Sequence, residues 1–277
     1  MGRFDGDVVI VTGASAGIGL EVSRGLRAEG ARIVAVARRP EPLDAVVEEL
    51  GSEHVLAVPA DVADNAALAR VAEQARERFG RITGLVNNAG AHVRGPVVDR
   101  SADEIATMVD VNLRGPLVLT RLVLDDLREH GGFVVNVASL AGKVPLNGAA
   151  TYSATKFGLR AFTFALAEEL RDTDVRISAV SPGPVETDFI LEHLDDVADI
   201  TFSQDTCTAA DVARMVLDCA HDGLRERSWP EGGGRLATLA YLFPAVRRML
   251  EPRLTAKGAA RKAAIRERLA RGSSDGS

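Results

Sequence analysis

Short apolar runs alternate with segments of helical periodicity from residue 7 to about residue 180, and no other feature of the chain restricts its possible folds as severely. Asp7–Val11, Arg32–Ala37, His54–Val58, Leu85–Val86 with its flanks, Gly132–Ala138 and Val175–Val180 read as strands. Between them, Ile18–Glu29, Pro42–Leu50, Ala66–Phe79, Ala102–Leu113, Pro116–Glu129 and Thr151–Arg171 place apolar residues at three- and four-residue steps, the period of an amphipathic helix. The strands are apolar at consecutive rather than alternate positions. Both of their faces must therefore be covered, which calls for a parallel sheet with helices on each side. Right-handed crossovers make such an α/β sheet doubly wound.

The first strand runs into Thr12-Gly13-Ala14-Ser15-Ala16-Gly17-Ile18-Gly19, and a helix begins at once. Each glycine has a mechanical use. Gly13 permits a tight turn, Gly17 lets backbone approach a pyrophosphate, and Gly19 allows the helix to lie close on the sheet. The free N–H groups of the helix start, with the helix dipole, then hold negative charge. A strand before and a helix after make this a nucleotide-binding Rossmann fold rather than a glycine-rich turn alone. The second strand ends Val36-Ala37-Arg38-Arg39, without the carboxylate that would bind an adenosine ribose hydroxyl. Two guanidiniums stand there instead and match a 2′-phosphate, which favours NADP(H) and leaves NAD(H) possible. Both arginines also suit solvated charges at a helix start.

Tyr152 and Lys156 are four residues apart and share one helix face. A phenol with a pKa near ~10 is a poor acid–base catalyst at neutral pH. An adjoining ammonium is expected to draw it down. Ser139 closes the fifth strand, where its hydroxyl can hold a carbonyl oxygen beside the phenol.

With these residues in place the chain resembles the short-chain dehydrogenase/reductase family, in its compact single-domain branch. The resemblance rests on TGASAGIG (12–19), Asn87-Asn88-Ala89-Gly90, Asn112 in VNLRG, Ser139, YSATK (152–156) and Pro182-Gly183 followed by Thr187. It covers residues 5 to 190. It implies that Ser139 orients the substrate oxygen, that Tyr152 is the acid and base, and that Lys156 binds the nicotinamide ribose and lowers the phenol pKa. Asn112 would hold a water in the proton relay. For the cofactor it implies Gly13, Ser15, Gly17, Ile18 and Gly19 of the turn, Arg38 and Arg39, Asp61 and Val62 at the adenine, and Asn87 beside the adenosine ribose. Pro182, Gly183, Val185 and Thr187 would lie along the nicotinamide, with Tyr152 and Lys156. Asn88 reads as a residue stapling the sheet. Asn112 also suits a helix-interior hydrogen bonder, and Asp61 a helix cap. Hydride exchange with a carbonyl or secondary alcohol is the expected activity. The rival is a catalytically silent nucleotide sensor or scaffold on the same fold.

The 277 residues divide into a domain over 1–234, a basic amphipathic helical extension over 235–271 and a disordered tail over 272–277. Gly232–Gly234 reads as a flexible break. Substrate contacts are expected from Ala91–Asp99, Leu140–Ala149 and Phe189–Asp205, the last carrying apolar Phe189, Ile190 and Leu191. These favour a hydrophobic small molecule under a mobile lid. The net charge of −6 argues against a nucleic-acid partner. Yet Arg235–Arg271 holds ten Lys/Arg against two Asp/Glu. Leu236, Leu239, Phe243, Val246, Leu250 and Leu254 recur there at helical steps. Packing on the acidic body or on another subunit is the preferred reading, ahead of a peripheral membrane contact. The family resemblance implies a homo-oligomer, dimer or tetramer, through helices at 116–130 and 152–170. The five histidines share no ligand spacing, so no metal is expected. Cys207 and Cys219 read as reduced, buried thiols of a cytoplasmic protein. The opening MGRFDGDVVIVTG reads as strand and turn rather than a signal peptide.

Overall fold

Successive strand residues enter opposite hydrophobic clusters, and this places the two helical layers. The computed structural model describes residues 2–187, 194 and 197–274. Seven strands form one parallel sheet: β1 (Val8–Thr12), β2 (Arg32–Ala37), β3 (Val55–Pro59), β4 (Gly84–Asn87), β5 (Phe133–Val137), β6 (Arg176–Pro182) and β9 (Glu226–Trp229). Their order is β3-β2-β1-β4-β5-β6-β9, and every pairing is parallel. A separate short pair, β7 (Val185–Glu186) with β8 (Cys207–Thr208), lies beyond the end of β6.

Val9, Val11, Ile33 and Val135 pack against α1 (Gly17–Ala28), α2 (Pro40–Leu50) and α7 (Ala209–Asp222). Val8, Ile10, Val34 and Val134 pack on the other side, against α3 (Asn65–Phe79), α5 (Gly115–His130) and α6 (Ala150–Glu169). Each such aliphatic side chain, when fully buried, contributes about 1.5–3 kcal/mol of transfer free energy. A one-residue slip in register would exchange the two faces. The strand order reverses between β1 and β4, so the crevice at their C-terminal ends is where this fold takes a ligand.

The first six strands lie within a residue or two of their sequence expectation. The helix expected over 102–113 ends earlier: α4 (Ala102–Val109), with a full capping box at Ser101 and Glu104, gives way to a π-helical turn, Asp110–Arg114, before α5. Helix α7 and strand β9 were not expected.

The glycine run at 232–234 is a correction. It does not break the chain but lies in the first turn of α8 (Glu231–Leu242), with Gly233 and Gly234 buried. A Cβ at Gly234 would stand 2.6 Å from the Ser228 hydroxyl, so these glycines allow the helix to press on β9. Phe243 forms an elbow, and α9 (Pro244–Ser274) follows. Residues 275–277 of the tail and residues 188–193 of the expected substrate loop, with Phe189, Ile190 and Leu191, lie outside the described residues.

Helix α9 is strapped to the segment before β8. Phe202 is buried with Leu194 and Val197, and Ile265 of α9 packs on them. The Lys262 ammonium donates to the Val197 carbonyl at 2.7 Å and pairs with Asp199 at 3.2 Å. Arg261 pairs with Asp205 at 2.7 Å. A Cβ at Gly258 would collide with the Asp199 carbonyl oxygen, so the helix and this segment touch backbone to backbone.

Candidate active site

The loop between β1 and α1 turns on Gly13, whose φ of 67° is left-handed. A Cβ at Gly19 would strike the Gly13 carbonyl oxygen, which explains why a side chain is not tolerated where the helix meets the turn. Gly17 also has positive φ and faces the Thr187 methyl, so these two sequence-separated residues flank one space. Ala16 precedes the helix and offers no side-chain cap, leaving the first-turn N–H groups to a ligand. Ser15 is half-buried in the turn, and Ile18 packs partly on the core. Asn88 ties the turn to β4: its amide donates to the Thr12 and Gly13 carbonyls at 3.0 and 3.3 Å.

Arg38 and Arg39 stand exposed at the end of β2, and neither guanidinium has an ion-pair or hydrogen-bond partner among the described residues. Arg39 occupies the N-cap of α2, so both sit over a helix N-terminus. The Asp61 carboxylate accepts the Ala63 N–H at 2.9 Å, and Val62 is buried beside it. The Asn87 side chain is engaged within the sheet. Its amide donates inward to Asn136 at 2.8 Å and to Thr120 at 3.2 Å, so only its backbone faces the crevice. Strand pairing sets this direction, because Asn87 and Asn136 are register partners on adjacent strands.

At the other side of the crevice Ser139, Tyr152 and Lys156 converge. Ser139 follows β5, and its hydroxyl accepts the Ala141 N–H at 3.1 Å. Tyr152 and Lys156 lie one turn apart on α6, the ammonium 5.7 Å from the phenol ring centroid. Lys156 is only 4% exposed and donates to the Val137 carbonyl at 2.9 Å. Burial pulls its pKa down to about 8. The expected lowering of the phenol is not found in the free protein. Burial raises the Tyr152 pKa, and a hydrogen bond from Ser139 and the charge of Arg94 offset this only in part. The amine is directed at a carbonyl rather than at the phenol oxygen, and removal of hydration outweighs the nearby charges.

Asn112 is 1% exposed and sits in the π turn. Its amide both accepts from and donates to the Ala91 backbone at 2.7 Å, and it reaches Thr155 on α6 at 3.3 Å. The side chain is therefore a clamp on the loop after β4. Pro182 ends β6, Gly183 donates to the Trp229 carbonyl at 2.9 Å, and Val185 is buried in β7.

Two residues near the phenol had no motif to announce them. The His92 ring stacks on Tyr152 with centroids 4.0 Å apart and planes within 12°. Its Nε2 is buried without a hydrogen-bond partner. Burial, then the positive charges of Arg94 and Lys156, press its pKa down to about 3, so the imidazole is neutral at physiological pH. A single histidine in a loop gives no periodic or spacing signal. Ser139, Tyr152, His92 and Arg94 line a cavity of about 760 Å³. Its walls include Leu140, Val144, Leu146 and Pro184, and its far side is built by α8 and α9 through Leu236, Ala237, Arg247 and Leu254. Among the described residues, no group of His, Cys, Asp and Glu is arranged to hold a metal.

Comparison with known proteins shows the family and the fold. The short chain dehydrogenase family model matches residues 7–197. The chain is 39% identical over 189 residues to the ketoacyl reductase HetN of Nostoc sp., a match covering 67% of this chain and 66% of that one. Curated relatives of comparable similarity are matched over 59% to 78% of their own length. Among solved structures, a short chain dehydrogenase from Burkholderia cenocepacia in complex with NADP is 29% identical with a TM-score of 0.76. The likeness covers 84% of this chain and 99% of that one. A metagenomic short-chain oxidoreductase in complex with NADP is 32% identical with a TM-score of 0.70, over 82% and 97% of the two chains.

Proposed function

The chain belongs to the short-chain dehydrogenase family, and from that premise we propose that it is an NADP(H)-dependent oxidoreductase exchanging hydride with a carbonyl or secondary alcohol carbon, with Tyr152 as general acid and base. The placement of Ser139 and Tyr152 on the wall of a largely apolar cavity, with Lys156 one helical turn from the phenol, carries this reading.

The residues fit the nucleotide. The side-chain-free cradle at Gly13 and Gly17 takes the pyrophosphate under the uncapped start of α1, and the unpaired Arg38 and Arg39 take the 2′-phosphate. Asp61 and Val62 border the adenine, the Asn87 backbone its ribose, and Pro182, Gly183, Val185 and Thr187 the nicotinamide end. When bound, the nicotinamide supplies or takes the hydride. The chain does the rest. Ser139 donates a hydrogen bond to the substrate oxygen, and Tyr152 Oη gives that oxygen its proton on reduction or removes it on oxidation. The Lys156 ammonium, held by Val137, binds the nicotinamide ribose and persists below about pH 8. Asn112 is the residue the family resemblance implies for a relay water. The two NADP-bound neighbours support the phosphorylated cofactor.

A small apolar carbonyl compound suits the cavity walls. Pairing through α5 and α6 is the oligomeric arrangement the family resemblance supports. A cytoplasmic location agrees with two free, buried cysteines, one with its thiol pushed up to about 12 by burial. No described helix is long and apolar enough to cross a membrane. The test is oxidation of NADPH by a panel of apolar ketones and aldehydes, followed by its absorbance. Tyr152→Phe is expected to lose about a thousandfold or more in kcat while nucleotide affinity stays within a few-fold. Nucleotide binding without turnover of any carbonyl by the unaltered protein would instead favour a silent sensor.

A further inference from the structure

The elbow between α8 and α9 carries a cluster of exposed apolar side chains. Leu236, Leu239, Leu242, Phe243, Val246 and Met249 are each at least half exposed, with Leu242 at 61% and Met249 at 71%. They recur at three- and four-residue steps on either side of Phe243. The opposite face of α8 is turned inward, where Gly233, Gly234 and Ala237 are buried. The outward residues are thus one continuous strip rather than scattered side chains. Isolated exposed aliphatics are ordinary, but a contiguous patch on a folded chain marks a surface that meets something.

Charge decides what it meets. Arg235, Arg248 and Arg253 border the strip and are exposed, and Arg247 is half-exposed. None of the four makes a side-chain ion pair or hydrogen bond among the described residues. From residue 231 to residue 257 the acids are Glu231 and Glu251 alone. In an isologous dimer the same patch meets itself, so two copies joined here would bring these guanidiniums face to face. An apolar strip rimmed by unpaired cations matches instead a surface that is apolar within and anionic at its border, which describes an acidic phospholipid bilayer.

The cavity provides a second, independent observation. Leu236 and Arg247, which belong to the strip and its rim, share the cavity wall with Ser139 and Tyr152. The cavity wall therefore reaches the elbow itself.

We propose that the α8–α9 elbow is a docking surface for the interface of anionic lipid bilayers. It seats the strip at the headgroup–acyl boundary and turns the elbow side of the cavity toward the lipid. Docking goes beyond the redox assignment and does not need it. Delivery of a bilayer-dissolved carbonyl compound to Tyr152 does rest on that assignment.

The experiment is co-sedimentation of the full chain with phosphatidylcholine vesicles, with and without phosphatidylserine, at low and high salt. The expected result is partition onto the phosphatidylserine vesicles, weakened several-fold by salt. The double variant Leu242→Glu with Met249→Glu is expected to lose about tenfold or more in partition. These two side chains lie outside the cavity wall, so turnover of a water-soluble carbonyl should be unchanged. Arg248→Glu with Arg253→Glu should abolish the preference for phosphatidylserine. Absence of binding to either vesicle overturns the proposal. So does a stable dimer that the Leu242/Met249 variant dissociates, since a second copy would then cover the strip. Sedimentation is read without turnover, so loss of docking and loss of the redox assignment are separate results.

Discussion

At the scale of single residues, the phenol is tuned by what surrounds it rather than by its helical neighbour alone. His92 covers one face of Tyr152 and keeps water from it. His92→Ala should admit water, ease the phenolate and shift the acid–base limb of the kcat profile to lower pH, with kcat about three- to tenfold down from lost stacking. His92→Phe retains the ring and should restore the profile. Identical pH–rate curves for Ala and Phe would show that stacking is immaterial. The two arginines after β2 are expected to act at a different step. Arg38→Ala should raise KM for NADPH about ten- to a hundredfold, the worth of a charge-assisted hydrogen bond, and leave KM for NADH nearly unchanged. Steady-state kinetics with the two nucleotides checks this directly. Equal changes would place the 2′-phosphate elsewhere.

At the scale of elements, the helix that carries Tyr152 and Lys156 is fastened by a largely buried ion cluster. Glu226 on β9 pairs with Arg160 of α6 at 2.9 Å and with Lys143, just after Ser139, at 2.9 Å, and accepts from Ser181 on β6 at 2.8 Å. Burial alone would raise the Glu226 pKa, but Arg160, Lys143 and Ser181 together hold it below the usual carboxylate range. Its contribution to stability is therefore complete above the unfolded carboxylate pKa and disappears as pH falls through the lower folded value. Glu226→Gln should cost about 3 kcal/mol at neutral pH, because the buried Lys143 and the half-buried Arg160 lose their counter-charge. It should also flatten the acid limb of a Tm-versus-pH curve. An unchanged curve would show that the cluster is not coupled to folding. This cluster also explains why β9 was illegible in the sequence. Its residues Glu-Arg-Ser-Trp satisfy charges rather than a hydrophobic face, so a period-2 or all-apolar pattern never forms. The first six strands were legible because they are apolar on both sides. The glycine turn and the Ser–Tyr–Lys set were legible because their chemistry requires fixed spacing. The direction of the Asn87 side chain and the stacking of His92 depend on register and loop path, which local spacing does not encode.

At the scale of the whole molecule, the reactive and selective parts come from different regions of the chain. Deleting residues 244–277 removes one side of the cavity while leaving the seven-stranded sheet and the nucleotide crevice. It should raise KM for an apolar ketone about tenfold or more and leave the NADPH dissociation constant, measured by titration calorimetry, within a few-fold. A parallel loss of nucleotide binding would mean that the extension supports the whole crevice. The family match stops at residue 197, whereas Gln204, Leu236, Arg247 and Leu254 on the cavity wall all come later. Two chains that share this core can then accept unrelated compounds, and grafting one terminal segment onto another's core is a route to retargeting that never touches Tyr152.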